Sequence, residues 1–186
     1  MKERCLETYS LVCHPDTPAS AVTDIEVSFD WNISGLWLRF HAELDLERIA
    51  LPGPASPIRA DGLWSTTCFE AFFKPGGGGG YVELNLSPSS QWAAYDFIGY
   101  RDGMAPAELE PAPTIGLDAS DGHFALEADI VPLAAWAGSK VQLALSAVIE
   151  ETDGTKSYWA LAHPPGKPDF HHPTCFAATL AAPSAA

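Results

Sequence analysis

The chain is 186 residues long with 24 acidic and 10 basic side chains, giving a formal net charge of -14 and an isoelectric point near 4.6. A field of that sign repels a phosphate backbone, which excludes nucleic-acid binding as a main role. Hydrophobic residues at 47% beside only 18% charged ones describe a folding chain and not an acidic disordered tail, and no apolar run reaches the ~18 to 20 residues that span a bilayer.

At the start, Lys2, Glu3, Arg4 and Glu7 have no apolar run behind them, which reads as no secretory signal and a cytoplasmic protein. Cys5, Cys13, Cys68 and Cys175 lack paired C-x-x-C spacing and are expected as thiols acting as small core residues. Thr23 to Trp31 sets Ile25, Val27, Phe29 and Trp31 against Asp24, Glu26, Ser28 and Asp30, a half-buried strand. Leu36 to Leu44 repeats the alternation after an Asn-Ile-Ser-Gly stretch, so the two form a hairpin. Asp45 to Ala50 fits one helical turn before Pro52, and Leu51 to Pro57 reads as a loop. Strands are expected at Thr67 to Lys74, Tyr81 to Ser87 and Trp92 to Tyr100, with the five glycines Gly76 to Gly80 as a hairpin loop; no Lys-Ser/Thr follows them, so they are not a phosphate cradle. Ala105 to Pro113 reads as a surface loop, Pro132 to Trp136 as a second helical turn, and His123 to Ile130, Val141 to Glu151 and Lys156 to Leu161 as further strands, with weaker ones near each end. The expected fold is all-β: one antiparallel β-sandwich domain over residues 1–186, with one or two short helical turns.

Strand alternation also assigns faces. Phe69, Ala71 and Phe73 share a core face with Val82, Leu84 and Leu86, which leaves Glu70 and the Glu83/Asn85 pair together on the opposite surface. Trp64 precedes the first of these strands, Trp92 follows the second, and Tyr95, Tyr100 and Arg101 come next. A sugar ring has an apolar C–H face and an equator of hydroxyls, so indoles beside fixed donors and acceptors suit it. Trp31, Trp37 and Trp136 are expected in the core or scaffold. His163, Asp169, His171 and His172 collect near the C-terminus, but a Pro-rich turn and the divergent His171-His172 pair argue against a metal centre; the plainer reading is a loop held by side-chain to backbone hydrogen bonds. The paired carboxylates Glu70 and Glu83 are the one catalytic signal, for glycoside hydrolysis if about 5 Å apart. No nucleophile elbow or H-E-x-x-H motif accompanies them.

The segments Arg59 to Phe73 (RADGLWSTTCFEAFF) and Tyr81 to Trp92 (YVELNLSPSSQW), with the later Tyr158-Trp159-Ala-Leu, resemble a DOMON-like domain of the family 9 carbohydrate-binding module type. The similarity runs roughly from Ser10 to Leu180. It implies a jelly-roll or immunoglobulin-like sandwich that binds the end unit of a small saccharide between two indoles, without catalysis. Carried onto this chain, Trp64 and Trp159 would be the two plates, Glu70 the acidic acceptor and Arg101 a donor. Glu83 and Asn85 match the strand pattern, and Trp92 and His163 complete the ligand-side candidates. No metal or resident cofactor is expected, and strand edges offer a route to a homodimer. Other DOMON-like domains bind haem through Met and His, which here would mean Met104 with His163, His171 or His172. The acidic, polar face favours a sugar over that cofactor.

Overall fold

The computed structural model describes residues 6–32, 35–76, 78–120, 122–131, 136 and 138–181. Two antiparallel sheets face each other. The first runs in the order β1 (Glu7–Ser10), β3 (Val22–Asn32), β4 (Gly35–Leu44), β10 (His123–Ile130) and β9 (Thr114–Ser120). The second runs β2 (Val12–Cys13), β12 (Lys156–Ala160), β11 (Lys140–Glu150), β5 (Cys68–Pro75), β6 (Tyr81–Leu86), β7 (Trp92–Phe97) and β8 (Ala105–Pro106). A last strand, β13 (Ala178–Ala181), pairs with Lys140 to Leu143 of β11, beside the stretch that β12 occupies.

Period-two patterning explains both sheets. Ile25, Val27 and Phe29 of β3 face inward with Leu36, Leu38 and Phe40 of β4, and the acidic partners stay outside. Phe69 of β5 bridges the sheets, its ring 5.1 Å from Phe40 and stacked 5.3 Å from Phe124. Trp136 stacks on Phe73 at 4.7 Å and so belongs to this core, as does the buried Trp92.

The eight-stranded sheet is unusual in being covered on its outer face too. Cys68, Phe72, Tyr81 and Phe97 on that face pack against Leu63 from the turn before β5 and against Phe170, Cys175 and Phe176 from the long final connection. Every residue of β6 and the first six of β5 are consequently buried.

The fold departs from the sequence reading at several places. The turn expected over Asp45 to Ala50 is a single 3-10 turn at Leu46–Arg48. The stretch read as loop from Ala105 begins with the short β8, and Thr114–Ser120 forms an edge strand that the sequence reading omits. That strand is mostly solvent-facing and carries Gly116 at its middle, so it lacks the apolar signal that marks a buried strand. Cys68 and Cys175 are buried and Cys13 half-buried, as expected of core thiols, whereas Cys5 lies outside the described residues. The turn expected at Pro132 to Trp136 also lies outside them, except for Trp136. Among the described residues no helix is long and apolar enough to cross a membrane.

Because Phe69 joins both sheets, Phe69→Ala is expected to lower unfolding free energy by about 3–5 kcal/mol. Urea denaturation followed by far-ultraviolet circular dichroism measures this; a loss below about 1 kcal/mol would show that the inter-sheet contact is not central.

Candidate functional site

The cover on the outer face is incomplete. Between the Trp64 turn, the turn after β7 and the final connection it leaves a cavity of about 350 Å³, at the small end of the roughly 300–1,000 Å³ typical of ligand sites. Its floor is the sheet itself, contributing Glu70, Glu83, Val148 and Tyr158. Trp64 stands on one side, on a 3-10 turn (Leu63–Ser65) entered through Gly62 at φ 77°, a left-handed conformation that glycine adopts without strain. Its indole is 43% exposed and meets Tyr95 edge-on at 5.9 Å.

Register places the acids. Glu70 pairs across the ladder with Asn85, and Phe72 with Glu83, so the two carboxylates are diagonal neighbours on one face. Asn85 is fully buried and donates to Glu83 Oε1 at 2.7 Å. Ser146 on β11 donates to Glu70 Oε2 at 3.2 Å, and among the described residues no hydrogen bond reaches the other oxygen. Burial, and then the neighbouring Glu83, push the Glu70 carboxyl up to about 8. Glu83 is shifted upward as well, by burial, against the opposing pull of Asn85 and Arg101. Another buried acid shows the contrast: Glu151 accepts from Ser20 N (2.8 Å), Ser20 Oγ (2.6 Å), Ala21 N (3.0 Å) and Arg48 Nη2 (2.9 Å). Burial pushes Glu151 upward, but those bonds hold it below the usual carboxylate range.

The far wall is built by an ion pair. Arg101 takes the left-handed conformation (φ 52°) in the turn after β7, which costs a non-glycine residue energy. Asp169 of the final connection accepts from Arg101 Nη2 at 2.7 Å and Nε at 3.2 Å through Oδ1, and from the Tyr100 hydroxyl through Oδ2. Burial works against the Asp169 charge, yet Tyr100 and Arg101 together hold its carboxyl low. The Arg101 amide donates to the Tyr81 hydroxyl (3.2 Å), whose oxygen shares a hydrogen bond with His171 Nδ1 (2.7 Å). The other ring nitrogen, Nε2, lies 3.6 Å from Glu83 Oε2. Burial, and then Arg101, lower His171 to about 4, so the ring is neutral near pH 7.

Of the candidates from the sequence, Trp64, Glu70, Glu83 and Arg101 line the cavity. Asn85 lies beneath it as a support for Glu83. Trp159 does not reach it: the pairing of Trp159 with Ala147 and of Tyr158 with Val148 turns the indole into the inter-sheet core, 5% exposed, and sets Tyr158 on the cavity side. Trp92 likewise pairs with Leu86 and points inward. His163 donates to the Val12 carbonyl at 2.7 Å and packs edge-on against His14, behind Phe170. Phe97, Phe170 and His171 are lining residues that the sequence reading did not place there. Asp169 and His172 also bond loop backbone, through the amides of His171 and Thr174, as the plainer reading of that segment has it.

Met104 and His171 both line the cavity, with His171 Nδ1 hydrogen-bonded to the Tyr81 hydroxyl and Nε2 3.6 Å from Glu83 Oε2. Among the described residues, no group of three or more His, Cys, Asp or Glu side chains is arranged to hold a metal ion.

No protein-family model matches the chain, and no curated protein does. Solved structures share its fold. A protein from Bacteroides uniformis assigned to carbohydrate binding superposes with a TM-score of 0.65 at 18% identity, over 95% of this chain and 86% of that one. A family 9 carbohydrate-binding module from Caldicellulosiruptor kristjanssonii in complex with cellotriose gives 0.59 at 10% identity, over 97% and 84%. A family 9 module from the same organism in complex with glucose gives 0.52 at 10% identity, over 91% and 81%. The chain is therefore similar in fold to family 9 modules.

The site makes stability depend on pH. Between about 4.5 and 8 the folded chain keeps a proton on Glu70 that the unfolded chain has released, so stability falls as pH rises through that window. His171 acts oppositely between about 4 and 6.5, where only the unfolded chain holds its proton. Above 6.5 the carboxylates act alone, and thermal melts should show the midpoint dropping from pH 6.5 to 8. Glu70→Gln should flatten that drop and raise the midpoint at pH 8 by several degrees; a variant curve parallel to wild type would contradict the desolvated carboxyl.

Proposed function

We propose that the chain is a non-catalytic, DOMON-like sugar-binding domain of the family 9 module type, and that a mono- or disaccharide occupies the cavity beside Trp64. The observation that carries this reading is the half-exposed Trp64 indole at the mouth of a cavity that also presents Glu70, Glu83 and the Arg101 guanidinium. An indole face suits the C–H face of a pyranose, and charged acceptors and donors suit its hydroxyls. Support comes also from the fold shared with a module in complex with cellotriose and one in complex with glucose. Tyr158 and Phe170, whose rings lie 5.9 Å apart, supply the aromatic surface that the sequence resemblance assigns to a second indole.

Intrinsic fluorescence and calorimetric titration with glucose, cellobiose and a broader panel of mono- and disaccharides test the assignment. Trp64→Ala should weaken binding by tenfold or more, about 1.4 kcal/mol, while the core substitution Trp159→Phe should change affinity less than about twofold once stability is matched. If no saccharide in the panel binds, the reading fails. Chromogenic glycosides should not turn over; turnover abolished by Glu70→Gln would instead make the paired acids a glycosidase site.

A further inference from the structure

The charge inside the cavity does not balance. The cavity lining holds two carboxyl groups, Glu83 and Glu70, the latter keeping its proton up to about pH 8, and one guanidinium, Arg101, which is committed to Asp169. His171 adds no charge near pH 7, and no lysine lines the walls. Glu70 and Glu83 are thus two acids, 3% and 5% exposed, facing one cavity, and the only guanidinium among its lining residues is paired with Asp169 and with neither of them. A structural role would call for donors such as those that saturate Glu151, whereas one oxygen of Glu70 has no hydrogen bond among the described residues. The surrounding rings, Trp64, Phe97, Tyr158 and Phe170, present the electron-rich surfaces that attract cations.

We infer that the preferred ligand is a cationic amino sugar, its free ammonium seated on Glu70 and Glu83 and its ring against Trp64. The inference rests on the sugar-binding reading of the same cavity and adds the charge of the ligand to it. An ammonium would relieve the repulsion and desolvation that now hold the Glu70 carboxyl near 8. An N-acetylated sugar would bring no charge and leave both acids uncompensated.

Calorimetry on the wild-type chain at about pH 6.5, where a sugar amine is protonated, compares glucosamine, galactosamine and mannosamine, each with its neutral parent and its N-acetyl derivative. At least one amino sugar should bind tenfold or more tighter than both counterparts, and the gap should narrow with added salt. Glu70→Gln and Glu83→Gln should each bring the pair to within about twofold while keeping the wild-type circular dichroism spectrum. Should one variant fail to fold, the other and the wild-type ratio still decide. If neutral sugars bind and no amino sugar binds tighter, the inference is overturned while the sugar site stands; if nothing in the panel binds, both fall.

Discussion

The double burial of β5 and β6 governs the chemistry of this protein. A sandwich sheet ordinarily keeps one face in water, and a glutamate pointing outward from it is simply solvated. Here the final connection lays Phe170, Cys175 and Phe176 over Phe72 and Tyr81, and water is removed from the face on which Glu70 and Glu83 stand. Burying a carboxylate is costly unless donors or a counter-charge offset it. Glu151 receives four such bonds and ties the residue 20–21 backbone to the end of β11. Glu70 receives one. The same side-chain type is thus a fastening at one site and a sparsely bonded acceptor facing a cavity at another, and the difference lies in the donors supplied around it.

Besides the apolar packing of Phe170, Cys175 and Phe176, the contact of Asp169 with Arg101 and Tyr100 joins the final connection to the turn after β7. An ion pair this exposed contributes little on its own. It does, however, sit in a chain of contacts: the Arg101 amide donates to the Tyr81 hydroxyl, Tyr81 shares a hydrogen bond with His171 Nδ1, and His171 Nε2 lies 3.6 Å from Glu83 Oε2. The left-handed backbone at Arg101 is held by these partners. A loop far away in sequence therefore meets the floor of the cavity, where Glu83 is held by Asn85 within its strand and faces His171.

Much of the fold was legible in the sequence because alternation is a local signal: the β3–β4 and β5–β6 hairpins, their inward faces and the glycine loop between β5 and β6 need only neighbouring residues. Trp64, Glu70 and Glu83 were legible for a related reason, since they lie on or just before the β5–β6 hairpin, and Arg101 follows the next strand. Trp159 was not. Two adjacent aromatics on a strand must point oppositely, and whether Tyr158 or Trp159 faces the cavity is decided by the pairing of β12 with β11. Phe170 and His171 were equally hidden, because an irregular loop carries no periodicity to reveal what it covers. One clue was available in the near-continuous apolar run Cys68 to Phe73, interrupted only by Glu70, which reads as a strand buried on both faces.

The inward turn of Trp159 bears on what the proposed sugar site would recognise. Two parallel indoles grip a ring largely through its apolar faces and discriminate weakly between sugars that share those faces. With one exposed indole and the smaller rings of Tyr158 and Phe170, less of the grip comes from stacking. More of it falls to the polar floor. Buried polar groups discriminate strongly, since a ligand that leaves them unpaired forfeits their hydrogen bonds and keeps their desolvation cost. At the proposed sugar site, an acidic floor under a single half-exposed indole would therefore shift selectivity from the shape of the ring toward the charge and hydrogen-bonding groups at its edge.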